Sequence, residues 1–135
     1  MQTFLPYPDF KKSAECLDDR RLNKQIIEAK IIYNIIKENR IIGGWINHPA
    51  TKMWRGHDEA LALYFNECLK EWKKRGHNHK YEEIEINKNV KIEMPLWFGR
   101  ENFHSAHRSN LLRKMPEYYG KFGWKEPDNL PYLWR

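Results

Sequence analysis

RRLNKQIIEAKIIYNIIKEN, residues 20–39, decides the fold class. Leu22, Ile26, Ala29, Tyr33 and Ile36 step by four and three, and Ile27, Ile31 and Ile35 widen the same stripe. That is the period of a helix with one buried face. DEALALYFNECLKEWKKR, residues 58–75, repeats the pattern through Leu61, Tyr64, Phe65, Cys68, Leu69 and Trp72. Its basic last turn before Gly76 suits a helix C-terminus. Two such helices predict a mostly helical core.

A third helix, NFHSAHRSNLLRK at residues 102–114, has a different character. His104, His107, Arg108 and Leu111 share one side at helical spacing, with Asn110 and Lys114 close to it. A helix that only packs rarely places so many donors on so few turns, so this one is expected to face an anion. Asn102 is expected to cap it. Pro116 disfavours helical geometry at Met115 and ends it near Lys114.

The remaining chain connects these helices. MQTFLPYPD, residues 1–9, holds Pro6 and Pro8 and reads as an extended arm docked through Phe4, Leu5 and Tyr7. Asp9 is expected to cap a short helix over about 10–17, and Asp18 or Asp19 the next. Gly43 and Gly44 make a turn, Asn47-His48-Pro49 opens another helix, and Gly56 with Asp58 marks a break. Residues 83–86 and 90–93 alternate with the period of a strand, which permits a small β-hairpin over 83–93. No repeat, low-complexity tract or linker interrupts the chain, so the reading is one all-α domain over 1–135, with or without that hairpin.

Lys and Arg number 24 against 18 Asp and Glu, and the pI near 9.3 favours a polyanionic partner. The aromatic share of 14% is high enough to put some rings on a surface. Cys16 and Cys68 lack disulfide or metal spacing and read as buried thiols of a reducing compartment. No signal peptide or membrane span is legible, so the expectation is a cytoplasmic or nucleoid-associated protein.

No Walker loop, GxSxG elbow, HExxH pair or dinucleotide fingerprint occurs. What remains is a basic and aromatic set suited to phosphates and bases.

MQTFLPYPDF, LDDRRLNKQIIEA, NHPATKMWRGHDEALALY, EWKKRG, FHSAHRSNLLRKMPEYYGKFGW and PYLW together resemble the pyrimidine dimer DNA glycosylases, the family of phage T4 endonuclease V, in a bacterial and viral branch. The resemblance implies an all-α, metal-free repair enzyme acting on ultraviolet-induced cyclobutane dimers. An amine attacks the sugar C1′, a glutamate assists, basic residues hold phosphates, and the imine permits β-elimination at the abasic site. An α-amino group, with a pKa of about 8, has a substantial neutral fraction at physiological pH, unlike a lysine at about 10.4.

Carried over residue by residue, Lys74-Arg75-Gly76 and Tyr118-Tyr119-Gly120-Lys121 match the family pattern, and Arg108 falls where it has a basic residue in its last long helix. Arg20 or Arg21 matches the arginine beside the catalytic glutamate. Arg21 or Leu22 stands in the glutamate's own place, leaving Asp18, Asp19 or Glu28 to substitute. The family's N-terminal threonine is replaced by Met1-Gln2, and methionine is not normally removed before so large a residue. The amine is then that of Met1 or Lys24, or the branch uses different chemistry.

The expected catalytic set is Met1 or Lys24 as amine, Glu28 as acid/base, and His104 and His107 orienting it or touching substrate. Expected nucleic-acid contacts are Arg20, Arg21, Arg55, Arg108, Asn110, Lys114 and Lys121, with Trp54 and Tyr119 stacking on bases. No cofactor or metal is expected. The partner is damaged or modified double-stranded DNA, with no membrane, bound by a monomer. Two alternatives stay open: a non-catalytic nucleic-acid-binding protein of the same fold, and a nucleotide or modified-base enzyme using a His/Arg/Asn pocket.

Overall fold

The computed structural model describes residues 2–87, 89 and 91–134, and among them the regular structure is entirely helical. The order is α1 (Phe10–Cys16), α2 (Asp19–Lys37), α3 (Pro49–Trp54), α4 (Asp58–Lys74), α5 (Glu101–Lys114) and α6 (Pro116–Tyr119), followed by a 3-10 turn over Gly120–Phe122. Asp9 caps α1 by accepting the Lys12 N–H at 2.9 Å, and Asp18 caps α2 by accepting that of Arg21 at 3.3 Å. Helix α4 opens with Asp58 and Glu59 and closes with Lys73 and Lys74, matching both ends of its macrodipole.

Helix α4 packs against both α2 and α1. Leu22, Ile26, Ala29 and Ile32 of α2 meet Leu61, Tyr64, Phe65, Cys68 and Leu69 of α4 in one buried cluster. Each large apolar side chain removed from water there contributes about 1.5–3 kcal/mol before entropy is counted. Cys16 and Cys68 are free, buried thiols, and burial pushes the Cys16 pKa up to about 12.

Two expectations need correction. Helix α5 begins at Glu101 after Arg100, with no side-chain cap bond, so Asn102 lies inside its first turn rather than before it. No strand forms among the described residues of 83–93; Lys88 and Val90 lie outside them. The Asn66 side chain bonds both backbone groups of Ile84, donating to its O at 2.9 Å and accepting its N–H at 2.7 Å. That pairing ties the segment to α4 and occupies groups a ladder needs, and two lone strands are marginal in any case.

The arm is the least expected part of the fold. Gln2, Thr3, Phe4, Leu5 and Pro6 are all buried, although residues 2–5 belong to no helix or strand. An extended backbone in a core must find partners for each N–H and C=O. Side chains supply them. The Phe4 N–H donates to Gln25 Oε1 at 2.8 Å, and Gln25 Nε2 donates to Gln2 O at 2.8 Å. Leu5 is held on the other side, its N–H on His107 Nδ1 at 2.9 Å and its O at 2.8 Å from His104 Nδ1. Arg108 Nη1 donates to Pro6 O at 2.7 Å. Helices α2 and α5 thus grip the arm as two neighbouring strands would.

Candidate active-site cleft

A cleft of about 480 Å³ opens beside this arm, within the usual range for small-ligand sites. Gln2 and Phe4 come from the arm, and Arg20, Arg21, Lys24, Gln25 and Glu28 from the first turns of α2. His48 contributes from the entry to α3, Lys114 from the end of α5, and Tyr132 and Trp134 from the tail. Five residues expected at the site, Arg20, Arg21, Lys24, Glu28 and Lys114, therefore meet in one place.

Their charges are unevenly compensated. Arg21 pairs with Asp18 at 3.3 Å. Among the described residues Arg20, Lys24 and Lys114 form no ion pair, while Asp19 beside them is taken by Arg75 at 2.8 Å and His77 at 3.0 Å. Basic groups in the first turns of a helix oppose its dipole, so a free cluster there is suited to an anion from outside. Glu28 is half-buried, and that burial holds its carboxyl above the usual carboxylate range; the Gln2 backbone N–H and Lys24 act in the opposite direction.

The far wall is aromatic. Ser109 Oγ accepts the Leu130 N–H at 3.0 Å, and Arg113 donates to the carbonyls of Asp128 and Leu130, which lays the tail along α5. The Tyr132 and Trp134 rings lie within 12° of parallel at 5.9 Å, and Trp134 meets His48 edge-on at 5.6 Å. Burial tends to raise the Tyr132 pKa, but Lys114 and Arg113 beside its hydroxyl leave it lowered. His48 caps α3, its Nδ1 accepting the Ala50 N–H at 3.0 Å. Partial burial lowers its pKa below 6.5.

The other expected contacts lie elsewhere. His104 and His107 are buried and spent on the arm, so neither faces the cleft. Their tautomers are opposite. Nε2 of His104 accepts the Gly99 N–H at 2.9 Å, leaving Nδ1 to donate, whereas Nδ1 of His107 accepts. Burial pushes the His107 pKa down to about 3.

Arg108 is 8% exposed, and its donors go to Pro6 O, Ser105 and the carboxylates of Glu126 and Glu101, so it is a buried strut rather than a phosphate contact. Asn110 is fully buried, with its Oδ1 on Arg113. The expected His/Arg/Asn pocket is therefore packed shut by the arm and the tail.

Trp54 and Tyr119 are likewise fully buried and not placed to stack on a base. The Trp54 indole N–H donates to Thr3 Oγ1 at 3.0 Å, and the Tyr119 hydroxyl donates to Asp18. Arg55 and Lys121 are exposed but line no part of the cleft; Arg55 donates to Ile46 O at 3.0 Å, and the Lys121 ammonium sits 3.9 Å from the Tyr118 ring centre. Met1 lies outside the described residues.

Six lining residues had not been expected: Gln2, Phe4, Gln25, His48, Tyr132 and Trp134. His48 had a usable signal, since a polar residue just before Pro at a helix entry is a cap position. Gln25 had a weaker one, as an amide among the apolar positions of a core helix. Among the described residues no three His, Cys, Asp or Glu are grouped to hold a metal, and no helix is long and apolar enough to cross a membrane.

Against known proteins, the chain has one informative match. The sequence model of the family described as pyrimidine dimer DNA glycosylase matches residues 1–85, which include the cleft residues from Gln2 to His48. No curated protein and no solved structure matches.

Proposed function

Because the chain belongs to the pyrimidine dimer DNA glycosylase family, we propose that the cleft receives the sugar of a damaged or modified pyrimidine in duplex DNA and cleaves it by amine chemistry, with an associated AP-lyase step. The observation that supports this best is the meeting of Glu28, its pKa raised by burial, with Lys24 and the unpaired cations Arg20 and Lys114. The cations hold phosphates flanking the lesion. An amine, that of Lys24 or the α-amino group of Met1, attacks C1′, and the base leaves with the electron pair of the C1′–N1 bond. Glu28 takes the proton the amine loses. A carboxyl held toward neutrality suits both that step and the later proton return. The C1′–O4′ bond then breaks, with O4′ taking a proton from solvent, to give the imine, which acidifies C2′, and β-elimination breaks the strand on the 3′ side.

Borohydride reduction during incubation with duplex carrying a cyclobutane thymine dimer, or a preformed abasic site, tests the reading. The expected result is a covalent adduct on both, with peptide mapping placing it at Lys24 or Met1, and a loss of about 100-fold or more in Glu28→Gln. Folded protein that binds these duplexes yet yields no adduct refutes the amine mechanism and favours the non-catalytic reading.

A further inference from the structure

Breaking a glycosidic bond leaves negative charge on the departing base, and a donor aimed at that charge is among the larger contributions a site can make. The cleft's cations face the other partner, phosphate. Its neutral donors are mostly committed. Gln25 Nε2 is bonded to Gln2 O, and the Gln2 side-chain amide, which has no hydrogen-bond partner among the described residues, is closed off from solvent. His104 and His107 are bonded to the arm on the far side.

His48 is different. Its Nδ1 accepts the Ala50 N–H, so Nδ1 carries no proton and the neutral ring must carry its proton on Nε2. No hydrogen bond occupies that Nε2 among the described residues, and His48 lines the cleft together with Glu28. Two features fix its direction: the cap bond and the edge-on Trp134 ring at 5.6 Å. Protonating Nδ1 would expel the Ala50 N–H, and partial burial separately lowers the pKa of this ring. The group is therefore a neutral donor with one available N–H.

We propose that the Nε2–H of His48 donates a hydrogen bond to the O2 atom of the departing pyrimidine. The step rests on the amine reading above. The amine nitrogen bonds C1′ as the C1′–N1 bond breaks, the electron pair passes to N1 and is shared with O2, and His48 holds it there. The amine's proton goes to Glu28 and reaches the base through solvent, so His48 itself neither gains nor loses a proton.

Two substrates separate this role from the amine chemistry, because a preformed abasic site has no base to release. His48→Asn keeps a side-chain oxygen able to cap α3 but has nothing at the Nε2 position. Single-turnover cleavage of the C1′–N1 bond in a cyclobutane thymine dimer duplex, read as thymine freed on photoreversal because the cut base stays joined to its neighbour through the cyclobutane ring, is expected to fall roughly 100- to 1,000-fold in this variant. Borohydride trapping on an abasic duplex is expected to stay within about 2-fold, a change well under 1 kcal/mol. His48→Gln, whose amide reaches further, is expected to recover part of the base-release rate.

Equal losses on both substrates, or no loss on the dimer, overturn the inference. So does an imidazole 15N spectrum of the wild-type protein showing the Nδ1-protonated form of His48. Wild-type protein that traps abasic sites but releases no base also overturns it, while leaving the amine reading standing; trapping neither overturns both.

Discussion

The buried pair of imidazoles behind the arm makes this fold sensitive to acid. His107 is 1% exposed and held neutral, with a pKa of about 3, by burial. In the unfolded chain the same ring titrates near 6.5. Between these values the unfolded state binds more protons than the folded one, so stability rises with pH across the window and is lost as pH falls. At pH 5 an unfolded ring is almost wholly protonated and the folded one almost wholly neutral. Going from pH 7 to pH 5 therefore removes about 2 kcal/mol through this residue alone, a large share of the roughly 5–15 kcal/mol typical of a domain.

His107→Asn retains an acceptor for the Leu5 N–H but no titrating ring. Urea unfolding followed by tryptophan fluorescence at pH 7 and pH 5 measures the difference. The variant is expected to be less stable at pH 7, because it loses the ring's packing against Phe4 and Phe103. Its further loss on going to pH 5 is expected to be smaller than the wild-type loss by about 2 kcal/mol. His104, also lowered by burial, is present in both proteins and cancels. Identical pH dependence in the two proteins refutes the assignment of a neutral, buried His107.

The basic residues divide into two kinds with different signatures. Arg108→Met removes the cation paired with the Glu126 carboxylate and the donor to Pro6 O, and is expected to cost about 3 kcal/mol in chemical denaturation while leaving the salt dependence of DNA binding unchanged. Arg20→Ala and Lys114→Ala are expected to do the reverse. Each lowers the slope of log affinity against log salt by about 1 without moving the unfolding midpoint, as fluorescence anisotropy on a labelled duplex would report.

Apolar periodicity located α2 and α4 within two residues, because a helix with a wide buried stripe writes its own spacing into the sequence. The caps at Asp9 and Asp18 were legible for the same local reason. Basic residues near the start of α2 were legible too, but that Arg20 and Lys24 stay out of ion pairs was not, because Asp18, Asp19 and Glu28 lie within four residues of them and only the fold commits Asp18 to Arg21 and Asp19 to Arg75. The partners of α5 were not legible. His104, His107 and Arg108 show polar groups without showing their partners, which are the Leu5 N–H and the Leu5 and Pro6 carbonyls, 99 or more residues away. The hairpin failed similarly, because alternation at 83–86 cannot announce that Asn66 occupies the Ile84 backbone.

The long-range pairing explains why a helix rich in donors belongs in this core. Residues 2–6 leave backbone groups with no helix or strand of their own to satisfy them, and polar side chains are the remaining source of partners. Gln25 performs that service from α2, His104, His107 and Arg108 from α5, and the Tyr64 hydroxyl, 2.8 Å from Phe4 O, from α4. The arm in turn supplies Gln2 and Phe4 to the cleft and brings the Gln2 N–H to Glu28. The polar face of α5 therefore serves the chemistry at one remove. Its His104, His107 and Arg108 are turned to the arm, anchoring the segment that fixes one side of the cleft, so loosening them is transmitted to the site through the arm.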